Sequence, residues 1–214
     1  CSTERNTFLS RSYHSTTAHY NGYFNANDLL NQAIGGYRSA LKEDYYSVLS
    51  LRPLPTEEEV KSMYAPIDTA IAKCTKVIQR HAMPSMDKPS QKKEEHNKWI
   101  DENWITIGVA NYYRRDYGTA LKNFEYTKRF FNSDKSAYVA EMWMARVYIE
   151  ENRLTDAGFA IANLQKAADE VTGGAEGEKA PKKSKSKKKK GKKEEKEADP
   201  FPKKLLFEFA VTKA

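Results

Sequence analysis

Cysteine is nearly missing from this chain. Its 214 residues hold two, Cys1 and Cys74. Cys74 falls on the apolar stripe of a helix, without an activating neighbour, and reads as a small core residue rather than a nucleophile. There is no run of 18 apolar residues, so no segment reads as membrane-spanning. No Gly-rich phosphate loop follows a strand pattern, and no G-x-S-x-G elbow occurs. Histidine is sparse: His14, His19, His81 and His96. His14 and His19 lie five apart with no Cys or carboxylate pair beside them, whereas zinc needs three or four converging ligands. Acidic residues are scattered over helix faces without pairing. These absences argue against hydrolase, phosphoryl-transfer and metal chemistry. The chain reads as non-enzymatic, with no cofactor, no metal and no small-molecule substrate expected.

Charge is abundant but uneven. The formal net charge is +7. Between Glu176 and Asp199 eleven Lys face six Asp and Glu, a local net of +5, which leaves about +2 for the rest. The remainder therefore lacks the basic footprint of a nucleic-acid-binding domain. The lysine run has no interleaved aromatics for stacking bases. Residues 172–199 read as a disordered, solvated insertion, because like charges repel and no apolar residues are present to form a core.

Helical patterning dominates the rest. An Asn cap at 25 or 27 opens a helix running to about Glu43, with Leu30, Ile34, Tyr37 and Leu41 on its buried face. Gly35 and Gly36 inside it imply a close helix contact that offsets their low propensity. Thr56 with Glu59 is a capping box. The helix after it carries Val60, Tyr64, Ile67, Ile71, Cys74 and Ile78, and Pro66 is expected to kink or divide it. Four helices follow, at roughly 97–114, 117–131, 134–151 and 154–170. They form two copies of one hairpin: Gly108 to Ala145 is 37 residues, and so is Ala120 to Ala157. Trp104, Ile107, Gly108, Tyr112, Ala120 and Phe124 resemble the tetratricopeptide repeat, in which small residues at fixed places let helices approach closely.

The expected fold is all-α, a tetratricopeptide-repeat-like solenoid with an extended N-terminal segment and a disordered Lys-rich insertion. Its parts are residues 1–26 (extended segment), 27–82 (degenerate helical cap), 83–96 (loop), 97–171 (two repeats), 172–199 (insertion) and 200–214 (the start of a further helix, with Leu205, Leu206, Phe209 and Ala210 on one face). That last face has no partner in the sequence, which implies a longer repeat protein.

Residues 2–26 carry Phe8, Leu9, Tyr13, Tyr20, Tyr23 and Phe24 on a polar background without a convincing helix pattern. A bare tether would have no aromatics. Some of these rings are therefore expected to dock, on a partner or on the chain's own repeats. By repeat position, Ile105, Val109, Tyr112, Tyr113, Val139, Met142 and Arg146 are expected to line the concave face. They form a mostly apolar groove for an apolar or aromatic segment, with residues 8–24 as one occupant.

Starting at Cys1, with no Met and no leader, the chain has the form of a lipoprotein after signal removal. Cys1-Ser2-Thr3, the stretch Arg11 to Asn27 with Tyr20-Asn21 and Tyr23-Phe24-Asn25, and the repeats behind it resemble the PorW/SprE-type lipoproteins. These serve type IX secretion and gliding motility in Bacteroidota. Only residues 1–34 are distinctive in this respect. The resemblance implies acylation at Cys1, a place on the periplasmic face of the outer membrane, and a scaffold role toward secretion-translocon and other envelope proteins, with no nucleic acid involved. The alternatives are a different envelope repeat lipoprotein, of the β-barrel-assembly kind, and the non-catalytic arm of an envelope enzyme.

Overall fold

The computed structural model describes residues 3–4, 7–42, 45–46, 48–50, 52–84, 95–132, 135–173 and 212. The expectations for Cys1, for the lysine run from residue 174 onward and for the segment 200–214 apart from Thr212 lie outside these residues, as do residues 85–94 of the loop.

Among the described residues the chain is all-α. Its helices are α1 (Phe8–Thr17), a π-helical segment (Ala18–Phe24), α2 (Asn25–Ala40), α3 (Val60–His81), α4 (Ile100–Tyr113), α5 (Tyr117–Phe130), α6 (Lys135–Glu150) and α7 (Leu154–Gly173). Each helix from α2 to α7 packs on the next. In addition α2 touches α4 and α4 touches α6, while α3, α5 and α7 do not touch one another. This gives two layers, α2–α4–α6 and α3–α5–α7, consistent with a helical-repeat fold. No described helix is long and apolar enough to cross a membrane.

The two hairpins repeat each other bond for bond. The Asp116 amide donates to Asn111 O at 2.9 Å, and 37 residues on the Arg153 amide donates to Tyr148 O at 2.8 Å. Arg115 to Tyr112 and Asn152 to Ile149 form the second matched pair, both at 3.0 Å. Among the described residues Arg115 and Asn152 are the two non-Gly residues with positive φ, at 66° and 58°. This is a Schellman turn, which ends a helix with one left-handed residue and satisfies its last carbonyls. Asn tolerates that conformation readily; Arg115 does not. Its side chain, however, donates to Pro55 O at 2.9 Å and so ties the connection before α3 to the turn.

Close approach fixes the hairpin core. A Cβ on Gly108 would lie 2.4 Å from Phe124, which is fully buried. Tyr112, Tyr113, Phe124 and Trp143 pack as one aromatic cluster with centroid separations of 5.2–6.4 Å between each ring and Trp143. The Thr56 capping box is present: the Thr56 amide donates to the Glu59 carboxylate at 2.8 Å, and the Glu59 amide donates to Thr56 Oγ1 at 3.3 Å.

Three expectations are corrected. First, α3 runs undivided through Pro66, so of the two expected outcomes, a kink or a division, the division does not occur. One lost N–H near the start of a 22-residue helix is a small deficit beside the face it buries, Val60, Met63, Ile67, Ala70, Cys74 and Val77. Second, Gly35 and Gly36 have nothing within 4 Å of a would-be Cβ, so no close contact explains them. Third, the segment up to residue 26 is not extended where it is described. Thr7 caps α1, its hydroxyl accepting from the Ser10 amide at 3.3 Å, and the helix continues through the π segment into α2. Its inward face is Ser10, His14, Ala18, Gly22, Ala26, Leu30 and Ile34, spaced by four throughout. In an α-helix that spacing drifts about 40° per step around the axis. The wider i→i+5 turns of the π segment counter the drift and keep the face on α3. A Cβ on Gly22 would sit 1.8 Å from Val77 Cγ2.

Candidate binding cleft

A cleft of about 340 Å³ lies along the layer α2–α4–α6. The π segment and α2 contribute Tyr23, Asn27, Leu30, Asn31, Ile34 and Arg38; α4 contributes Glu102, Ile105, Thr106, Val109 and Tyr113; α6 contributes Val139, Met142 and Trp143; the connection before α3 contributes Arg52. Each position follows from helix geometry: Asn27, Asn31, Ile34 and Arg38 fall at i, i+4, i+7 and i+11, one stripe of α2.

Six expected site residues therefore meet in one cleft: Tyr23, Ile105, Val109, Tyr113, Val139 and Met142. Four do not. Tyr112 is buried beneath Trp143 and Tyr117, since it lies about 100° around the helix from Tyr113. Burial, then nearby Glu150, pushes its hydroxyl pKa up. Arg146 is 3% exposed; its Nε donates to Thr212 Oγ1 at 2.9 Å and its guanidinium stacks 4.4 Å from the Trp143 ring centroid, so it supports the floor from behind. Tyr20 and Phe24 are 60% and 58% exposed. Helix formation turns them outward, because the inward face at that level is Ala18, Gly22 and Ala26. Residues 8–24 do dock on their own chain, α1 on α3 and the π segment on α3 and α4; among the described residues of this stretch Tyr23 alone lines the cleft.

The cleft has two unlike ends. At one, Tyr23 faces Glu102, with Trp99 5.4 Å from the Tyr23 ring and stacked on His19 at 3.8 Å. Burial, and secondarily Asp101, pushes the Glu102 carboxyl up to about 7. Burial likewise pushes the Tyr23 hydroxyl up to about 12, with Glu102, Cys74 and Asp101 adding to it. At the other end Arg38 reaches Tyr113, donating to its hydroxyl at 3.5 Å, and the Arg52 guanidinium lies 5.8 Å from the Trp143 ring centroid. Leu30, Ile34, Ile105, Val109, Val139 and Met142 lie between. The groove is thus less apolar than expected: Asn27, Asn31, Arg38, Arg52 and Glu102 were not anticipated. The α2 stripe was legible once α2 is placed beside α4; Arg52 carries no periodic signal.

A groove of about 430 Å³ opens on the other side, over Trp104, Ile107 and Asn111. Several of its polar groups are engaged internally: Arg114 pairs with Asp68, Asn111 donates to Ile107 O and Asn123 to Thr119 O. Cys74 is buried, which pushes its thiol up to about 12 and leaves it a core residue.

No protein-family model matches this chain, and no curated protein matches it.

Proposed function

We propose that this chain is a non-enzymatic helical-repeat scaffold that holds a segment of a partner protein in the α2–α4–α6 cleft. The carrying observation is the convergence of Tyr23 with Ile105, Val109, Tyr113, Val139 and Met142, from three successive inner-layer helices, on one apolar floor with a polar rim. That composition suits a peptide: an apolar floor supplies affinity, and rim amides and guanidiniums fix register. Among the described residues the cleft lining includes no Ser, Cys or His, and its one hydroxyl of a β-branched residue, Thr106 Oγ1, donates to Glu102 O in its own helix. The resemblance of residues 1–34 to PorW/SprE-type lipoproteins supports the finer reading. In it the scaffold is acylated at Cys1, held at the periplasmic face of the outer membrane, and binds type IX secretion-translocon components.

Affinity isolation of the full-length protein from membranes tests this, beside a Val109→Arg variant that fills the cleft with a charged side chain. Translocon components are expected with the unaltered protein and are expected to be lost with the variant. Recovery of no outer-membrane translocon component from the unaltered protein would overturn the secretion reading. Equal recovery from both would overturn the cleft.

A further inference from the structure

One end of the cleft holds a carboxyl group that nothing in the chain neutralises. Resting on the reading of the cleft as a peptide site, we propose that its occupant is an extended segment with a lysine or arginine side chain at one end and apolar residues after it, laid so that the cation meets Glu102.

Charge complementarity carries the assignment. Glu102, in the first turn of α4, is the one carboxyl group among the described cleft residues. Among the described residues its carboxylate has no hydrogen-bond or ion-pair partner. Burial and the neighbouring Asp101 both disfavour its charge. A cation opposes both effects, because it attracts the charged form directly. A neutral occupant would bury the carboxyl further, and an acidic one would repel it. The surroundings suit a long cationic side chain. The Tyr23 ring lines this end, with the Trp99 ring 5.4 Å from it, so the methylenes and the charged head have an aromatic face to lie on. Asn27 and Asn31 of α2 line the same cleft, and their side-chain carbonyls can accept from an ammonium or a guanidinium.

The cleft's own cations stand at its other end. Arg38 meets the Tyr113 hydroxyl, eleven residues beyond Glu102 on α4, which is about 16 Å at 1.5 Å per residue. That separation is about twice the screening length of roughly 8 Å in physiological salt. Arg52 stands at the same far end, beside Trp143. From α6 the lining residues are Val139, Met142 and Trp143, none of them ionisable, and α3 brings only the Cys74 thiol, near Tyr23. The two ends therefore set a direction. A segment threaded backward would set its cation among guanidiniums, and like charges placed together are the repulsive half of specificity. From Tyr23 to Arg38 is fifteen residues of helix, about 22 Å at 1.5 Å per residue. An extended chain advances about 3.3 Å per residue, so the cleft takes about seven residues.

The test is selection of a displayed library of seven-residue segments, free of histidine and embedded between neutral linkers, on the immobilised full-length chain at about pH 8. Glu102→Gln and Val109→Arg chains run in parallel, each first shown by its melt to be folded. The expected result is enrichment of segments with Lys or Arg at one end and apolar or aromatic residues after it. Their binding should fall roughly tenfold in the Gln variant. On the unaltered chain it should also weaken roughly tenfold from about pH 8 to about pH 6, because Glu102, held at about 7, takes up a proton over that range. The Gln variant keeps every histidine of the unaltered chain, so the difference between the two pH profiles isolates Glu102. Selected segments that are neutral or acidic, equal binding to the Gln variant, or equal pH profiles would overturn the basic assignment and leave the peptide cleft standing. Enrichment no greater than on the Val109→Arg chain would overturn both.

Discussion

The continuous helix from Phe8 to Ala40 and the paired hairpins from Ile100 to Gly173 bury opposite kinds of residue. In the hairpins, Tyr112, Phe124, Trp143 and Tyr148 are inside, and Gly108 makes room for the Phe124 ring. In the N-terminal helix the inside positions before Leu30 are Ser10, His14, Ala18, Gly22 and Ala26, while Leu9, Tyr13, Tyr20 and Phe24 are more than half exposed. The first arrangement gains stability from apolar area removed from water. The second relies on closeness of backbones, as at Gly22 against Val77, and on specific polar contacts. His14 Nδ1 lies 2.8 Å from His81 Nδ1, and the Asn97 side-chain amide donates to His81 O at 2.8 Å and to His14 O at 3.4 Å. Both regions are helical and both shape the cleft, but they should fail for different reasons.

The largest effect should come from Phe124→Ala. A fully buried aromatic ring is lost and Gly108 faces a void, so unfolding free energy should fall by about 3–5 kcal/mol in urea denaturation. A loss below about 1 kcal/mol would mean the hairpin core is not organised around this pair. Gly22→Ala should break the other region. The added methyl has no room at 1.8 Å from Val77 Cγ2, and overpacking costs about 1–3 kcal/mol. The loss should be local: protease should cut within α1 and the π segment first, with the hairpins still folded. Uniform melting of the whole chain would contradict independent anchoring.

Acid should loosen the same region without touching the hairpins. Burial lowers the pKa of both His14 and His81 from the ordinary 6.5, and for His81 the His14 and Arg80 charges add to this. The unfolded chain then takes up protons more readily than the folded one. The histidine contribution is therefore complete above pH 6.5 and is lost as pH falls below it. Glu102 works in the opposite sense, since its raised pKa means that stability declines as pH rises from 4.5 toward 7. A global melt mixes the two, so ring-proton magnetic resonance of His14 and His81 is the clean readout. Midpoints below 6.5, with α1 amides disturbed in step, are expected; titration at 6.5 would mean the pair is not buried. Smallest of all, Gly36→Ala should stabilise α2 by about 1 kcal/mol, because no atom lies within 4 Å of the new methyl. A thermal melt that does not rise would mean that something packs there after all.

This contrast also decides what was legible beforehand. The hairpins announced themselves, because large side chains repeat at the helical period and small residues recur after 37 residues, Gly108 with Ala145 and Ala120 with Ala157. The capping box at Thr56 was equally plain. The N-terminal helix was hidden, since hydrophobic periodicity assumes that apolar residues mark the inside, and here small residues do. Tyr23 was identified for its ring and found in the cleft; Tyr20 and Phe24 were identified for the same reason and face away. The cleft's apolar floor could be read from repeat position, whereas Arg52 comes from the connection before α3, where no periodic pattern marks it. Arg146 looked like a binding residue, but it is a buried support for Trp143.

The central claim is that Phe8–Phe24 is a docked helical segment and not a tether. Amide hydrogen exchange of the full-length chain near neutral pH tests it most directly. The account predicts that amides from His14 to Leu30 exchange slowly, together with those of α4. Exchange of residues 8–24 at the rate of an unstructured peptide, with α4 to α6 still protected, would contradict it.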